Sequence, residues 1–328
     1  MRRYIEFAAA HRATMAQAPI PEPGAGEGLV VTSLSGISVG TERMWLDGSA
    51  GALRSGRRGY PYRPGYELVG RIAGAGFAGI PVGGRVFAMK PHGSHAVLGR
   101  DDSWLPLPDH VADEDAIAIA LTATALHAVH RSSMTVGDAA MVAGLGALGL
   151  IMIQVLAASF AGPVIALTRN AAKGAIARAH GATRVVTYDT LGDAALPPAQ
   201  CIFECSGVAA NVPRLLPLAR AQGELVLVGS YTAPIILDGE TIFAKELTVK
   251  GVRASGAAAG DNEFNRWDRR RNLELAGALV AAGTVRMRGL VTHRFAAERF
   301  DEAYRLIADP ARRADAIQIC LLWREGAR

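Results

Sequence analysis

The chain has 328 residues, of which half are hydrophobic and a fifth are charged. This length fits about two domains, and the composition is that of an ordinary globular protein. No apolar run reaches the length of a transmembrane helix, and the first residues lack the apolar core of a signal peptide, so we expect a cytoplasmic protein with no membrane partner. The net charge of +5 comes from scattered Lys and Arg, which argues against a nucleic-acid partner.

The first third of the chain predicts a small β-rich domain. Short apolar stretches alternate with Gly and Pro, a pattern typical of strands joined by turns. The predicted strands cover residues 29–35, 66–74, 85–90 and 94–98.

After a predicted helix at 116–130, strand and helix patterns alternate. The predicted strands cover 139–143, 164–168, 184–187, 201–205, 224–229 and 248–253, and the predicted helices 148–158, 171–180 and 208–220. Such alternation predicts a parallel, doubly wound sheet, so the expected fold class is α/β. Two further helices, at 272–282 and 298–308, and a last strand at 317–323 complete the chain.

Three glycines between the first strand and helix of this alternation have the spacing of a dinucleotide fingerprint. Gly144 permits the tight turn, Gly146 lets the backbone approach a pyrophosphate, and Gly149 lets strand and helix pack closely. The helix then begins with Ala147 and Leu148, whose N–H groups and positive dipole end favour phosphate. The sequence therefore predicts a nucleotide-binding site here.

The end of the next strand indicates which nicotinamide dinucleotide binds. An acidic residue at this position hydrogen-bonds the ribose 2′-hydroxyl of NAD, whereas a nearby Arg accommodates the 2′-phosphate of NADP. Here Thr168 and Arg169 end the strand, Lys173 follows, and residues 168–173 contain no carboxylate. We therefore predict NADP as the cofactor, with NAD as the alternative.

Small residues also follow two later strands. Ser206 and Gly207 come after the strand at 201–205, and Gly229 and Ser230 end the strand at 224–229. Because the carboxyl ends of such strands line the cofactor crevice, we expect these four residues near the nicotinamide.

Several motifs together resemble the medium-chain dehydrogenase/reductase superfamily. They are the segments 36–42, 64–70, 223–229 and 245–251, with the nucleotide fingerprint. The resemblance implies a GroES-like catalytic domain at 1–118, a Rossmann domain at 119–256, a segment at 257–328 that completes the catalytic domain, and a homodimer.

Within that superfamily, segments 36–42, 60–71 and 289–294 resemble a zinc-lacking branch of bacteriochlorophyllide 3-hydroxyethyl dehydrogenase-like proteins. Zinc enzymes of the superfamily carry a Cys, a His and a third Cys or acid where this chain has Ser38, Tyr66 and Ala120. A catalytic zinc needs three protein ligands with N, S or carboxylate donors, so we predict no metal.

Without zinc, side chains must handle the proton that accompanies hydride transfer. The resemblance places Tyr66 and Ser38 at the positions of two metal ligands and Thr41 near that of the usual proton-relay hydroxyl. Glu67 follows Tyr66 and could orient a donor or act as a base. We predict these four as catalytic residues.

Three functions stay open at this point. The first is a zinc-independent oxidoreductase that interconverts a secondary alcohol and a ketone on a small-molecule substrate, such as a large ring or biosynthetic intermediate. The second is an NADPH-dependent enoyl or quinone reductase, for which a weaker acid suffices. The third is a non-catalytic nucleotide-binding protein.

Overall fold

The computed structural model describes residues 1–160, 162–191, 195–254 and 266–323. The chain forms two compact units, one of Met1–Ala120 with Gly277–Arg328 and one of Leu121–Ala276. The predicted boundary at 256/257 lies outside the described residues. The fold is α/β, with a GroES-like unit rich in strands and a Rossmann unit, which confirms the predicted class.

The strands in chain order are β1 (Arg2–Ala9), β2 (Arg12–Ala18), β3 (Gly28–Ile37), β4 (Leu68–Ala73), β5 (Arg85–Ala88), β6 (His95–Leu98), β7 (Trp104–Pro106), β8 (Ala140–Ala143), β9 (Val164–Thr168), β10 (Arg184–Thr187), β11 (Ala199–Glu204), β12 (Ala219–Leu227), β13 (Thr248–Gly251), β14 (Val291–Ala296) and β15 (Gln318–Leu322).

The helices are α1 (Val39–Leu46), α2 (Gly51–Arg54), α3 (Asp113–Ala116), α4 (Ala118–Arg131), α5 (Ala147–Ser159), α6 (Ala171–Ala179), α7 (Gly239–Lys245), α8 (Arg269–Ala281), α9 (Phe300–Ala308) and α10 (Pro310–Arg313). Short 3-10 helices cover Ala209–Arg214, Leu216–Leu218 and Ala297–Arg299.

The GroES-like unit is built on a seven-stranded sheet with the order β14-β15-β3-β4-β5-β7, in which β6 pairs with β3. The strand β15, from the end of the chain, lies between β14 and β3. This pairing brings residues near 320 beside residues near 35, where the candidate catalytic residues lie. The hairpin β1–β2 forms a separate two-stranded sheet.

The Rossmann unit contains a parallel sheet with the order β10-β9-β8-β11-β12-β13. Every residue of β8, β9 and β11 is buried, as expected for central strands covered on both faces. The strand order reverses between β8 and β11, and in such sheets ligands bind outside the carboxyl ends of the strands at that point.

One predicted helix of the Rossmann unit, at 208–220, was wrong. The segment forms two short 3-10 helices, and β12 begins at its end. Pro213 and Pro217 explain the difference, because proline removes a backbone donor and disrupts an α-helix. In the described part of the chain, no helix is long and apolar enough to cross a membrane.

Candidate active site

The turn after β8 has the shape that its glycines allow. Gly144 has a φ of +97°, and a Cβ there would lie 2.6 Å from the Cβ of Ser206. A Cβ at Gly149 would lie 1.9 Å from the carbonyl oxygen of Gly144, so strand and helix pack too closely for any side chain. A Cβ at Gly146 would meet nothing within 4 Å, although this glycine is the N-cap of α5. The open space above Gly146 is where a pyrophosphate would lie against the backbone.

The predicted phosphate ligands lie in one turn at the end of β9, but the hydroxyl of one of them, Thr168, is already hydrogen-bonded within that turn. The Thr168 hydroxyl is buried, accepts a hydrogen bond from Asn170 N (3.0 Å) and donates to Asn170 O (3.3 Å). The Asn170 side chain accepts from Ala172 N and caps α6. The Thr168 hydroxyl therefore shapes the turn, while Arg169 is exposed and Lys173 is partly exposed.

The strand ends of β11 and β12 meet through glycine contacts. A Cβ at Gly207, which has a φ of +67°, would lie 2.4 Å from the carbonyl oxygen of Ser230, and a Cβ at Gly229 would lie 2.4 Å from Gly207 N. Ser206 lies against Gly144 of the fingerprint turn. These four predicted residues therefore line one edge of the sheet, together with the glycine turn.

In the GroES-like unit, two predicted catalytic hydroxyls are directly hydrogen-bonded. Ser38 is the N-cap of α1, and the Tyr66 phenol donates to its Oγ at 2.6 Å. The Thr41 side chain also hydrogen-bonds Tyr66 and acts to lower the pKa of the phenol. Burial and the Glu67 carboxyl outweigh this and raise the pKa of Tyr66 far above its usual range. The phenol therefore stays protonated and available as a donor.

Behind Ser38 lies a buried polar group of side chains, which we call the Glu42 cluster: Ser35, Glu42, His92, Tyr304 and Trp323. The Glu42 carboxylate accepts hydrogen bonds from the backbone N of Ser38 (3.0 Å), from the Tyr304 hydroxyl (2.7 Å) and from His92 Nε2 (3.1 Å). The carboxylate is only 1% exposed. Because one partner is the N-cap of α1, the cluster fixes the backbone that carries the Ser38 hydroxyl.

A further set of hydrogen bonds connects His92 to the last strand. Trp323 Nε1 donates to Ser35 Oγ (2.9 Å), and Ser35 Oγ lies 2.8 Å from His92 Nδ1. The Glu42 cluster therefore extends through His92 and Ser35 to Trp323, next to the end of β15.

Glu67 is the most deeply buried of the predicted catalytic residues, with 0% exposure. Its Oε2 accepts from Gln318 Nε2 at 3.1 Å, whereas its Oε1 has no hydrogen-bond partner in the structure. Burial, and then the Glu42 carboxylate, raise the pKa of Glu67 well above its usual value. These surroundings favour a neutral carboxylic acid, which can donate as well as accept.

Comparison with known proteins agrees with both units. Residues 147–268 match the family model described as zinc-binding dehydrogenase. The chain is 28% identical over 325 residues to 2-desacetyl-2-hydroxyethyl bacteriochlorophyllide A dehydrogenase of Rhodobacter capsulatus, covering 94% of each chain. It is 25% identical over 328 residues to sorbitol dehydrogenase of Homo sapiens, covering 87% of each. These similarities support the predicted resemblance to the medium-chain dehydrogenase/reductase superfamily.

Solved structures show the same fold. A putative zinc-binding dehydrogenase from Sinorhizobium meliloti 1021, bound to NADP, superposes with a TM-score of 0.81 at 23% identity, covering 98% of this chain and 99% of that one. Galactitol-1-phosphate dehydrogenase from Escherichia coli has a TM-score of 0.80 at 22% identity, covering 98% and 99%.

The family model raises the question whether this chain has residues for a catalytic zinc. Ser38 and Tyr66, which the sequence resemblance places at two of the ligand positions, hydrogen-bond one another, and the resemblance places Ala120 at the third. Within the described ranges, no three His, Cys, Asp or Glu side chains lie close enough to hold a metal ion. The donor set at these positions does not fit zinc, which needs three N, S or carboxylate ligands.

Two features of the chain could not be found from its sequence motifs: the partners of Glu42, which itself lies in the motif 36–42, and the burial of Glu204. Glu42 and His92 are 50 residues apart in sequence but 3.1 Å apart in space, and Tyr304 and Trp323 come from the last segment of the chain. Glu204, at the end of β11, is also fully buried. A single charged residue in the apolar stretch 201–205 was the one available signal for it.

Proposed function

We propose that the protein is a zinc-independent, NADP-dependent oxidoreductase that interconverts a secondary alcohol and a ketone. The observation that carries this proposal is the 2.6 Å hydrogen bond between Tyr66 and Ser38, two hydroxyls at positions where zinc enzymes of the superfamily have metal ligands. Similarity to this superfamily supports a nicotinamide cofactor, and the open backbone at Gly146 fits its pyrophosphate.

The hydroxyls can supply the proton that a ketone needs on reduction. Since Tyr66 donates to Ser38 Oγ, the hydroxyl hydrogen of Ser38 is available for a substrate oxygen. The hydride is what a bound nicotinamide dinucleotide supplies or accepts. As the carbonyl oxygen gains negative charge, Ser38 gives it a proton, Tyr66 reprotonates Ser38, and Thr41 reprotonates Tyr66 while it takes up a proton from solvent. Alcohol oxidation runs the same transfers in reverse.

Glu67 and the Glu42 cluster act behind this relay. A neutral Glu67 adds no negative charge beside the developing alkoxide, which an ionised carboxylate would destabilise. The Glu42 carboxylate holds the Ser38 backbone through its N–H, so the hydroxyl does not have to be oriented during the reaction. Preorganised donors of this kind stabilise charge without a reorganisation cost.

One observation favours a second candidate, reduction of an activated carbon–carbon double bond. The raised pKa of Tyr66 makes the phenol a weak acid, and enoyl or quinone reduction requires a weaker acid than carbonyl reduction. The two candidates share the cofactor site and the absence of zinc, so substrates alone distinguish them.

The test combines metal analysis of the purified protein with titration by NADPH and NADH, followed by protein fluorescence. We expect no stoichiometric zinc and tighter binding of NADPH. A Ser38→Cys, Tyr66→His variant serves as the control for metal capture, because it places a thiolate and an imidazole, both good zinc ligands, near Glu67. One zinc per wild-type chain, or a preference for NADH, would contradict the proposal.

Turnover then separates the candidate reactions. Secondary alcohols, ketones and α,β-unsaturated carbonyls are assayed with the preferred cofactor, and the set includes a hydroxyethyl-substituted tetrapyrrole and polyols, after the substrates named for the relatives. Activity on alcohols and ketones supports the first candidate. Activity on unsaturated carbonyls alone supports the second, and cofactor binding without turnover supports a non-catalytic protein.

A further inference from the structure

Glu204 is a buried charge at the carboxyl edge of the Rossmann sheet. It is the last residue of β11. The strand order of the sheet reverses between β8 and β11. A Cβ at Gly229, at the end of β12, would lie 3.0 Å from its Oε2. The carboxyl group therefore lies among the strand ends where a dinucleotide binds in this fold.

The hydrogen-bond partners of Glu204 all donate to its carboxylate oxygens. Its two oxygens accept from the backbone N of Ser206 (3.0 Å) and Gly207 (3.0 Å) and from the hydroxyls of Ser206 and Tyr231. Each of these partners can donate, so both carboxylate oxygens act as acceptors. Within the described ranges, no Lys, Arg or His forms an ion pair with it. Among the described residues, the carboxylate is therefore held by hydrogen bonds and not by an ion pair.

The carboxylate of Glu204 affects the pKa values of two neighbouring tyrosines. Burial and then Glu204 raise the pKa of Tyr188 to about 12, and the same two causes raise the pKa of Tyr231 further. Both phenols therefore remain neutral, and they do not add a second negative charge to the region.

We infer that Glu204 makes the cofactor site prefer the oxidised over the reduced nicotinamide. The inference rests on the proposed nicotinamide cofactor. The oxidised ring carries a positive charge and the reduced ring is neutral, while the phosphates and adenosine are the same in both forms. A fixed carboxylate near the ring attracts only the oxidised form, so Glu204 stabilises it selectively and assists alcohol oxidation.

The experiment measures the dissociation constants of NADP⁺ and NADPH for the full-length protein and for Glu204→Gln. The ratio of the two constants is the readout, because changes in packing or in repulsion of the phosphates affect both forms alike. We expect loss of the charge to raise the ratio of the NADP⁺ constant to the NADPH constant about six- to thirtyfold. This range corresponds to two unit charges about 8 to 15 Å apart at an effective dielectric constant of about 20.

A matched control lies on the neighbouring strand. Glu224 is also a buried carboxylate, but it lies three residues before Leu227, which pairs with Glu204 in register. It is therefore about 10 Å farther from the carboxyl edge, and Lys250 neutralises it at 2.6 Å. Glu224→Gln is expected to leave the ratio within twofold of the wild type.

The outcomes separate this inference from the proposed function. A Glu204→Gln ratio within twofold of the wild type overturns the inference, whatever the substrate screen shows. Failure to turn over any alcohol, with the ratio changed as expected, overturns the proposed reaction and leaves the inference standing. If Glu204→Gln does not fold, Glu204→Ser removes the same charge with a smaller side chain, and the same criterion applies.

Discussion

The fingerprint turn of the Rossmann unit and the Glu42 cluster of the GroES-like unit are built in opposite ways. The turn uses consecutive residues, and its proposed binding groups are backbone atoms left open at Gly146. The cluster uses side chains from residue 35 to residue 323, joined by hydrogen bonds in the protein interior. A backbone site requires positions that have no side chain, whereas a side-chain network requires every one of its hydrogen-bond partners.

The largest expected effect concerns the hydroxyl relay. Tyr66→Phe should lower kcat by about 10²–10³, within the range for loss of a general acid, while leaving the cofactor dissociation constant unchanged. Steady-state kinetics and a fluorescence titration measure the two effects. Tyr60→Phe is the control, since the Tyr60 hydroxyl donates to the Trp45 carbonyl and has no role in the relay. Equal turnover by Tyr66→Phe and wild type would remove Tyr66 from the mechanism.

The next effect concerns the Glu42 cluster. His92→Phe removes a buried donor to the carboxylate, and we expect the free energy of unfolding to fall by about 2–3 kcal/mol. Urea denaturation measures it. His110→Ala is the control, because His110 is exposed and bonds a single backbone carbonyl. A loss of less than about 0.5 kcal/mol for His92→Phe would mean that the cluster does not act as a unit.

A smaller effect tests whether the turn is a backbone site. Gly146→Ala should leave the thermal midpoint unchanged, because its Cβ meets nothing in the protein, yet weaken cofactor binding about tenfold by blocking the pyrophosphate. Gly149→Ala is the matched control, for which we expect the opposite effect on the thermal midpoint. Its Cβ would collide with the Gly144 carbonyl, so we expect a lower thermal midpoint. If Gly146→Ala binds the cofactor normally, the pyrophosphate lies elsewhere.

The most subtle effect is a pH slope. The folded protein holds a proton on Glu67 above the usual value of 4.5, because burial raises the pKa, and the unfolded chain releases it there. Stability should therefore fall as pH rises through this window, by at most about 1.4 kcal/mol per pH unit. Glu67→Gln removes this contribution, so its stability relative to wild type should increase from pH 5 to pH 8. A constant difference across that range would show that Glu67 titrates normally.

The same contrast explains what could be predicted from the sequence. The Rossmann strands and the glycine turn were predicted, because buried apolar runs and glycine spacing are local signals. The predicted helix at 208–220 was wrong because two prolines disrupt it. The hairpin β1–β2 was missed because its turn has His11, and not Gly or Asn, in the left-handed conformation. The Glu42 cluster has no local pattern, since its members are joined only by the pairing of β15 with β3.

The position of β15 also determines the order in which the protein can be completed during synthesis. Gln318, Tyr304 and Trp323, which bond Glu67, Glu42 and Ser35, leave the ribosome after the whole Rossmann segment. Until then the nascent GroES-like unit lacks β15, the strand that lies between β14 and β3 in its sheet. A chain interrupted before residue 318 would keep the fingerprint turn but lack the Gln318 and Trp323 contacts to Glu67 and Ser35, so we expect premature termination to leave the GroES-like unit unfinished.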